Sequence, residues 1–259
     1  MNKQIPMLFS PAMIEALLSG TKTETRRIFK AAPNGTSEFW RSDDENGFWN
    51  CTLEGGKYHP HHFGTRTQAG DLIWVRENWR VGAWHYNNSE IAIDYCDGPR
   101  KEWLHVDDPD LLHRLIDQSR ADAAKTDTKL HDGYFEYSWP AGQGPTRWRP
   151  SIHMPKFASR LTLRVISYSI ERLHDITEQG AIDEGSRPFF DDKDPISMPY
   201  PNGSSLKMSP LKGPREAYAV LWDKINGSGA WDKNPWVSAT KFEVIHQNVW
   251  DVENLEATS

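Results

Sequence analysis

Two stretches of this chain concentrate positive charge with hardly any acid between. Residues 20–30 carry Lys22, Arg26, Arg27 and Lys30 against Glu24 alone, and residues 146–172 carry Arg147, Arg149, Lys156, Arg160, Arg164 and Arg172 against Glu171 alone. Charge of this kind often does no more than solvate a surface. The aromatic residues tilt the reading toward a ligand: several of the twelve tryptophans stand beside these cations. Trp74 and Trp79 flank Arg76, and Trp148 separates Arg147 from Arg149. Flat rings beside guanidinium groups can stack on bases while the cations pair with phosphates. His153 lies in the second stretch, where contact with a ligand and a purely structural role are both open. Cys51, His59, His61 and His62 are residue types that zinc accepts. Their spacing fits no closed site, so they read as a flexible polar loop, and no metal or cofactor is implied.

These residues must be held by a scaffold, and the pattern of apolar positions outlines one. Met7-Leu8-Phe9 reads as a short strand. Ser10-Pro11 then opens a helix, because serine caps well and proline has no N–H to leave unpaired in the first turn. Met13, Ile14, Leu17 and Leu18 share a face, and Gly20 is a suitable stop. Residues 21–27 alternate as extended chain, whereas residues 31–70 look irregular. Leu72-Ile73-Trp74-Val75 is the clearest strand, and Ile91-Ala92-Ile93 a second. Leu111, Leu112, Leu115 and Ile116 predict one amphipathic helix within an inserted acidic segment. Residues 159–169 alternate as a strand, a helix opens at Thr177 and ends by Gly185, and residues 215–225 form another helix. Residues 186–214, with six prolines, read as a long loop. A final strand covers residues 236–245, with Trp222 and Trp236 available for the core. Short strands divided by helices and loops predict an α+β fold rather than a doubly wound sheet.

At 259 residues the chain can bury a substantial core, and a mean hydropathy of −0.70 predicts plentiful loops. No run approaches the ~18 apolar residues that span a bilayer, and residues 1–6 lack the long apolar run of a secretory signal. Two cysteines cannot supply a disulfide framework, which suits a reducing cytoplasm. The net charge of −6 opposes indiscriminate coating of nucleic acid. Residues 86–136 hold twelve acidic and six basic residues, so they account for all of it and leave the basic stretches unopposed.

Four segments, in order, resemble the ASCH family in the larger version common among phage and prophage proteins. They are Gly20-Thr21-Lys22-Thr23-Glu24-Thr25-Arg26-Arg27 after the first strand and helix; Gly70-Asp71-Leu72-Ile73-Trp74-Val75-Arg76-Glu77-Asn78-Trp79; Trp148-Arg149-Pro150-Ser151-Ile152-His153-Met154-Pro155-Lys156-Phe157-Ala158-Ser159-Arg160; and Leu173-His174-Asp175-Ile176-Thr177-Glu178 together with Leu221-Trp222-Asp223 and Asn234-Pro235-Trp236-Val237. The resemblance implies a PUA-like β-barrel with flanking helices, a single domain over residues 1–250. Insertions would fall at about 100–132 and 186–214, and residues 251–259 would be a disordered tail. It also implies a cleft for RNA or a modified nucleoside. Small members of the family are amidohydrolases of N4-acetylcytidine that use a Lys, a Thr and a Glu, which map here onto Lys22, Thr25 and Glu184.

In that chemistry Thr25 would attack the amide or position a water, and Lys22 would take the proton or hold the oxyanion. Glu184 would protonate the leaving amine or hold the lysine. Burial and the nearby Arg26 or Arg27 would lower the lysine pKa toward that task. Simple strand alternation sets residues 22 and 25 on opposite faces, so a turn or bulge would be needed to bring them together. Arg26, Arg27, Arg76, Trp79, Arg147, Trp148, Arg149, His153, Lys156 and Arg160 are the expected contacts to substrate or nucleic acid. Three functions compete: an amidohydrolase of N4-acylated cytidine, a non-catalytic reader of RNA or a modified base, and a ribonuclease.

Overall fold

A computed structural model of the chain describes residues 2–41, 49–63, 67–126, 136–186 and 213–257. Strand β1 (Gln4–Leu8) leads into helix α1 (Pro11–Leu18), which buries Ile14 and Leu17. Gly20 follows at φ 69°, a left-handed conformation that costs glycine little. Strand β2 (Glu24–Ile28) comes next.

The described residues between 31 and 70 form strands that their composition does not suggest. Strands β3 (Thr36–Arg41), β4 (Trp49–Leu53) and β5 (Lys57–Phe63) form an antiparallel three-stranded sheet. His59, His61 and His62 therefore lie on a strand rather than in a loop. The cause is tertiary: Phe39, Trp49 and Cys51 bury against Ile170, Phe29 and Trp236. Gly55 and Gly56, at φ 86° and 73°, turn the chain from β4 into β5.

The remaining elements are β6 (Leu72–Arg76), β7 (Trp79–His85), β8 (Glu90–Tyr95), β9 (Lys101–His105), α2 (Pro109–Ala124), β10 (Glu136–Ser138), β11 (Thr162–Arg172), α3 (Glu178–Asp183), α4 (Pro214–Asn226), β12 (Trp236–Ile245) and α5 (Val249–Ala257). The class is mixed α+β, as the element pattern predicts. Contacts divide the chain into two compact units. The first gathers residues 1–18, 71–164 and 244–259, and the second residues 19–70 and 165–243.

In the first unit β1 runs parallel to β6, with Ile5 opposite Ile73, and β6 pairs antiparallel with the start of β11. A separate antiparallel sheet has the order β10-β7-β8-β9. Its core joins Trp79, Val81, Trp84, Ile91 and Ile93 to Leu112, Leu115 and Ile116 of α2. The acidic insert thus supplies both an edge strand and a helix. Asp108 caps that helix, its Oδ1 accepting the N–H groups of Asp110 and Leu111 at 3.0 and 3.1 Å. The tail expected to be disordered is helical through Ala257, because Val249 and Val252 bury against Leu72 and Trp74.

In the second unit β2 pairs antiparallel with β12, placing Thr25 opposite Thr240. Ala181 of α3, with Ile176 just before that helix, packs with Tyr218 and Trp222 of α4 onto Val237. Trp222 is core, as its sequence context suggests, while Trp236 is only half-buried, edge-on to Phe39 with Arg172 4.3 Å above its ring. Most of the proline-rich segment, residues 187–212, lies outside the described residues. No described helix is long and apolar enough to cross a membrane.

Candidate functional site

Lys22 and Glu184 are brought together by two chain ends that stop in compatible ways. Helix α3 is capped at its start by Thr177, whose Oγ1 accepts the Gly180 N–H at 2.9 Å. It ends at Gly185 (φ 83°), where the Gly185 N–H reaches the Ile182 carbonyl and the Ser186 N–H reaches that of Ala181. That pairing is a Schellman stop, and it turns Glu184 sideways out of the helix. Extended chain after Gly20 then runs alongside: Lys22 bridges Glu184, and the Thr23 N–H donates to Asp183 at 2.8 Å.

The Lys22 ammonium donates to the Glu184 carboxylate (Oε2, 2.6 Å), the Glu184 carbonyl (2.9 Å) and the Glu24 carbonyl (2.8 Å). An ammonium has three protons, and all three are used. Lys22 is 0% exposed and Glu184 3%. Burial lowers the Lys22 pKa, with Arg27 and Arg26 adding to the effect and the Glu184 charge opposing it. Desolvation is the main cause of the lowering, and the two arginines add to it.

Arg26 sits in the same network. It donates to Glu171 at 2.8 Å, to Glu24 Oε1 at 3.2 Å and to Glu184 Oε1 at 3.5 Å. Burial works against its charge, but the three carboxylates outweigh it and raise its pKa. Burial likewise raises Glu24. Tyr218 of α4 donates its hydroxyl to Glu184 Oε1 at 3.1 Å; burial and the neighbouring Glu184 keep that hydroxyl protonated. Arg27 is half-buried, its pKa lowered by desolvation. Thr25 is 1% exposed, between Glu24 and Arg26 on the strand. Because β2 is regular there, alternation directs its side chain away from the face that Glu24 and Arg26 share. No bulge of the kind that would bring residues 22 and 25 onto one face breaks the β2 register. Two buried polar atoms here, Glu24 Oε2 and Ser186 Oγ, lack a hydrogen-bond partner among the described residues.

The other expected contact residues belong to the first unit, and they part into two groups. Arg160 is committed inside the protein. Its Nε and Nη2 grip Glu77 at 2.8 and 2.7 Å, Asp97 lies 2.8 Å away, and Tyr95 stacks beneath at 4.1 Å. It is 7% exposed and so corrects the expectation of a phosphate contact, because its charge is already neutralised. Trp79 is buried as well, at 1%. Arg76 covers Trp74 at 5.1 Å and donates to the Ile152 carbonyl. Lys156 is half-buried, donates to Gln4 and lies 5.2 Å over Trp250. Arg147, Trp148 and His153 are exposed, and Arg149 is half-buried with its guanidinium 5.1 Å from the Trp79 ring.

Tyr218 and Glu171 were invisible as members of the Lys22 network, since neither lies near it in sequence. Arg80 was missed too: it is 6% exposed, donates to Asp94 at 3.2 Å and stacks on Trp148 at 4.6 Å. The alternation of Arg80 with apolar neighbours in β7 was the available signal. Comparison with known protein families, curated proteins and solved structures finds no match to this chain.

Proposed function

We propose that the chain is an ASCH-type, PUA-like protein that recognises RNA or a modified nucleoside, with the Lys22–Glu184 network at the heart of its second unit. One observation carries the reading. The lysine and glutamate that the ASCH resemblance pairs are 162 positions apart in sequence, yet they meet at 2.6 Å in a solvent-excluded contact. A solvated surface lysine would not be expected to find that partner.

Recognition without turnover ranks first, because Lys22 as it stands has no free proton or lone pair to offer a substrate. Its ammonium is saturated by three acceptors and fully covered. The second reading, hydrolysis of an N4-acylated cytidine, is favoured by the lowered Lys22 pKa and the unpartnered Glu24 Oε2 and Ser186 Oγ. In that reaction water would add its oxygen to the acyl carbon while its proton passes to a neutral Lys22 amine. The C–N bond would then break as the same proton reaches N4, releasing a carboxylic acid and the cytidine. Glu184 would steady the lysine, and Thr25, directed to the other face of β2, would take no part in the step.

The test is to incubate the protein with N4-acetylcytidine and with a structured RNA, following hydrolysis by chromatography and binding by titration. Binding of either ligand without cleavage supports the reader. Deacetylation that disappears in Lys22→Ala establishes the hydrolase. Absence of both binding and cleavage removes the proposal.

A further inference from the structure

Helix α2 lies in the acidic insert, outside the four segments that carry the ASCH resemblance, yet one stripe of it is not acidic. Leu111, Arg114, Leu115 and Gln118 follow one another at helical spacing and form one wall of a cleft of about 470 Å³. Arg147, Arg149, Pro150 and His153 form the facing wall, and Trp79 contributes the floor. The lining holds three arginines and a histidine, with no aspartate or glutamate. That balance opposes the charge of the chain as a whole, which is −6.

The cleft is built rather than incidental. Arg149 and Trp79 exchange backbone hydrogen bonds at 2.7 and 3.2 Å, tying the facing wall to the start of β7. The Arg149 guanidinium lies over the Trp79 ring and donates to Gln118 Oε1 at 2.8 Å, so it bridges the two walls. Its charge is held in a half-buried place where desolvation lowers its pKa, the nearby Arg147 adds to that, and only Asp122 opposes it. Arg114 and Arg147 are exposed, and neither forms an ion pair among the described residues. Trp79, though 1% exposed, has an indole N–H with no hydrogen-bond partner among the described residues. A buried donor left unmet costs stability unless something meets it.

We propose that this cleft binds one phosphorylated nucleotide unit. The phosphate would lie between Arg114 and Arg147, and the base would stack on the half-buried Arg149 guanidinium beside Leu111. Arginine planes are common stacking partners for unpaired bases, and two arginine forks suit a phosphate. The volume falls in the range of small-ligand sites. The assignment of a nucleotide, rather than another anion with a flat apolar body, rests on the reading of the chain as a nucleic-acid recogniser. The unit could be free or the end of an RNA strand.

The experiment titrates the full-length protein with cytidine, cytidine 5′-monophosphate, inorganic phosphate and a short single-stranded RNA bearing a 5′-phosphate. It is repeated with Arg114→Ala, Arg147→Ala and, as a charge reversal at an exposed position, Arg147→Glu. The monophosphate should bind at least tenfold more tightly than cytidine, with affinity falling as salt rises. Each alanine variant should weaken it by about tenfold or more, and Arg147→Glu should weaken it further. Stronger binding of the RNA than of the monophosphate identifies a strand end; equal binding identifies a free nucleotide. If RNA binds the unmutated protein and all three variants alike, the cleft assignment is overturned while the recogniser reading stands. If the monophosphate binds and depends on both arginines but no RNA or modified nucleoside does, the cleft stands and the recogniser reading falls.

Discussion

Arg160 holds Glu77 through two parallel bonds, Nε to Oε1 at 2.8 Å and Nη2 to Oε2 at 2.7 Å, both side chains almost wholly buried. A planar fork makes this pair, and a lysine can supply only a point charge in its place. Arg160→Lys should therefore destabilise the fold by about 1.5–3 kcal/mol, read from the denaturant midpoint. RNA affinity of the folded variant should stay within about twofold, because Arg160 already spends its charge inside the protein. A large loss of affinity with unchanged stability would return Arg160 to the ligand.

Removing the Lys22 amine leaves the buried Glu184 carboxylate, among the described residues, with hydrogen bonds from Arg26 at 3.5 Å and the Tyr218 hydroxyl and with the charge of Arg27 nearby. Lys22→Met should cost about 3 kcal/mol, near the lower end for breaking a buried pair. Adding Glu184→Gln to it should cost less than the sum of the two single changes, since the orphaned charge is then gone. Additive costs in chemical denaturation would argue that the two residues do not act as a unit.

The pH dependence of stability should carry a signature of Glu24. Burial raises its pKa above the ordinary 4.5, with Glu184 and Glu171 adding to this and Arg26 and Lys241 opposing it. The folded state thus holds the proton more tightly than the unfolded chain does. The contribution is fully present below pH 4.5 and is lost as pH rises through the folded value. Relative to Glu24→Gln, the unmutated protein should lose stability on going from pH 4 toward neutrality. Denaturant midpoints of both proteins across about pH 4–7 check this; a constant difference would contradict it.

Gly82 in β7 lies against Asp94, which is 0% exposed and accepts from Arg80 and from the Gly142 N–H. A Cβ at position 82 would fall 2.5 Å from Asp94 Oδ1. Gly82→Ala should lower stability by about 1–3 kcal/mol, because a buried and anchored carboxylate cannot step aside cheaply. A thermal midpoint shift of a few degrees is the expected reading, and an unchanged midpoint would show that the carboxylate can move.

Local information was enough for some of the fold. Helix α1 was legible because Pro11 and Gly20 punctuate it and Ile14 and Leu17 share a face. Strands β6 and β8 were legible as short β-rich apolar runs, and α2 because its apolar residues repeat at the helical period; β12 and α4 were legible as apolar segments of the right length. The α+β class followed from the alternation of such segments. What escaped were β3, β4, β5, β7, β9, β10 and the helical tail; β3 to β5 mix polar with aromatic residues between glycine-containing turns, and the tail is acidic. Phe39 and Trp49 acquire their strands from Ile170 and Trp236, and Val249 and Val252 acquire their helix from Leu72 and Trp74.

The site divides in the same way. Charge and aromatic pattern marked Arg147, Trp148 and Arg149, and the resemblance paired Lys22 with Glu184. Pattern alone could not tell that Arg149 faces a cleft while Arg160, eleven positions on, is sealed against Glu77 and Asp97. Nor could it recruit Tyr218 to Glu184 or Arg114 to the cleft. An arginine in a one-dimensional pattern is only a cation. Whether it meets a ligand or a buried carboxylate depends on which distant residues the folded chain sets within about 4 Å of it, where an opposite charge decides what that cation can still do.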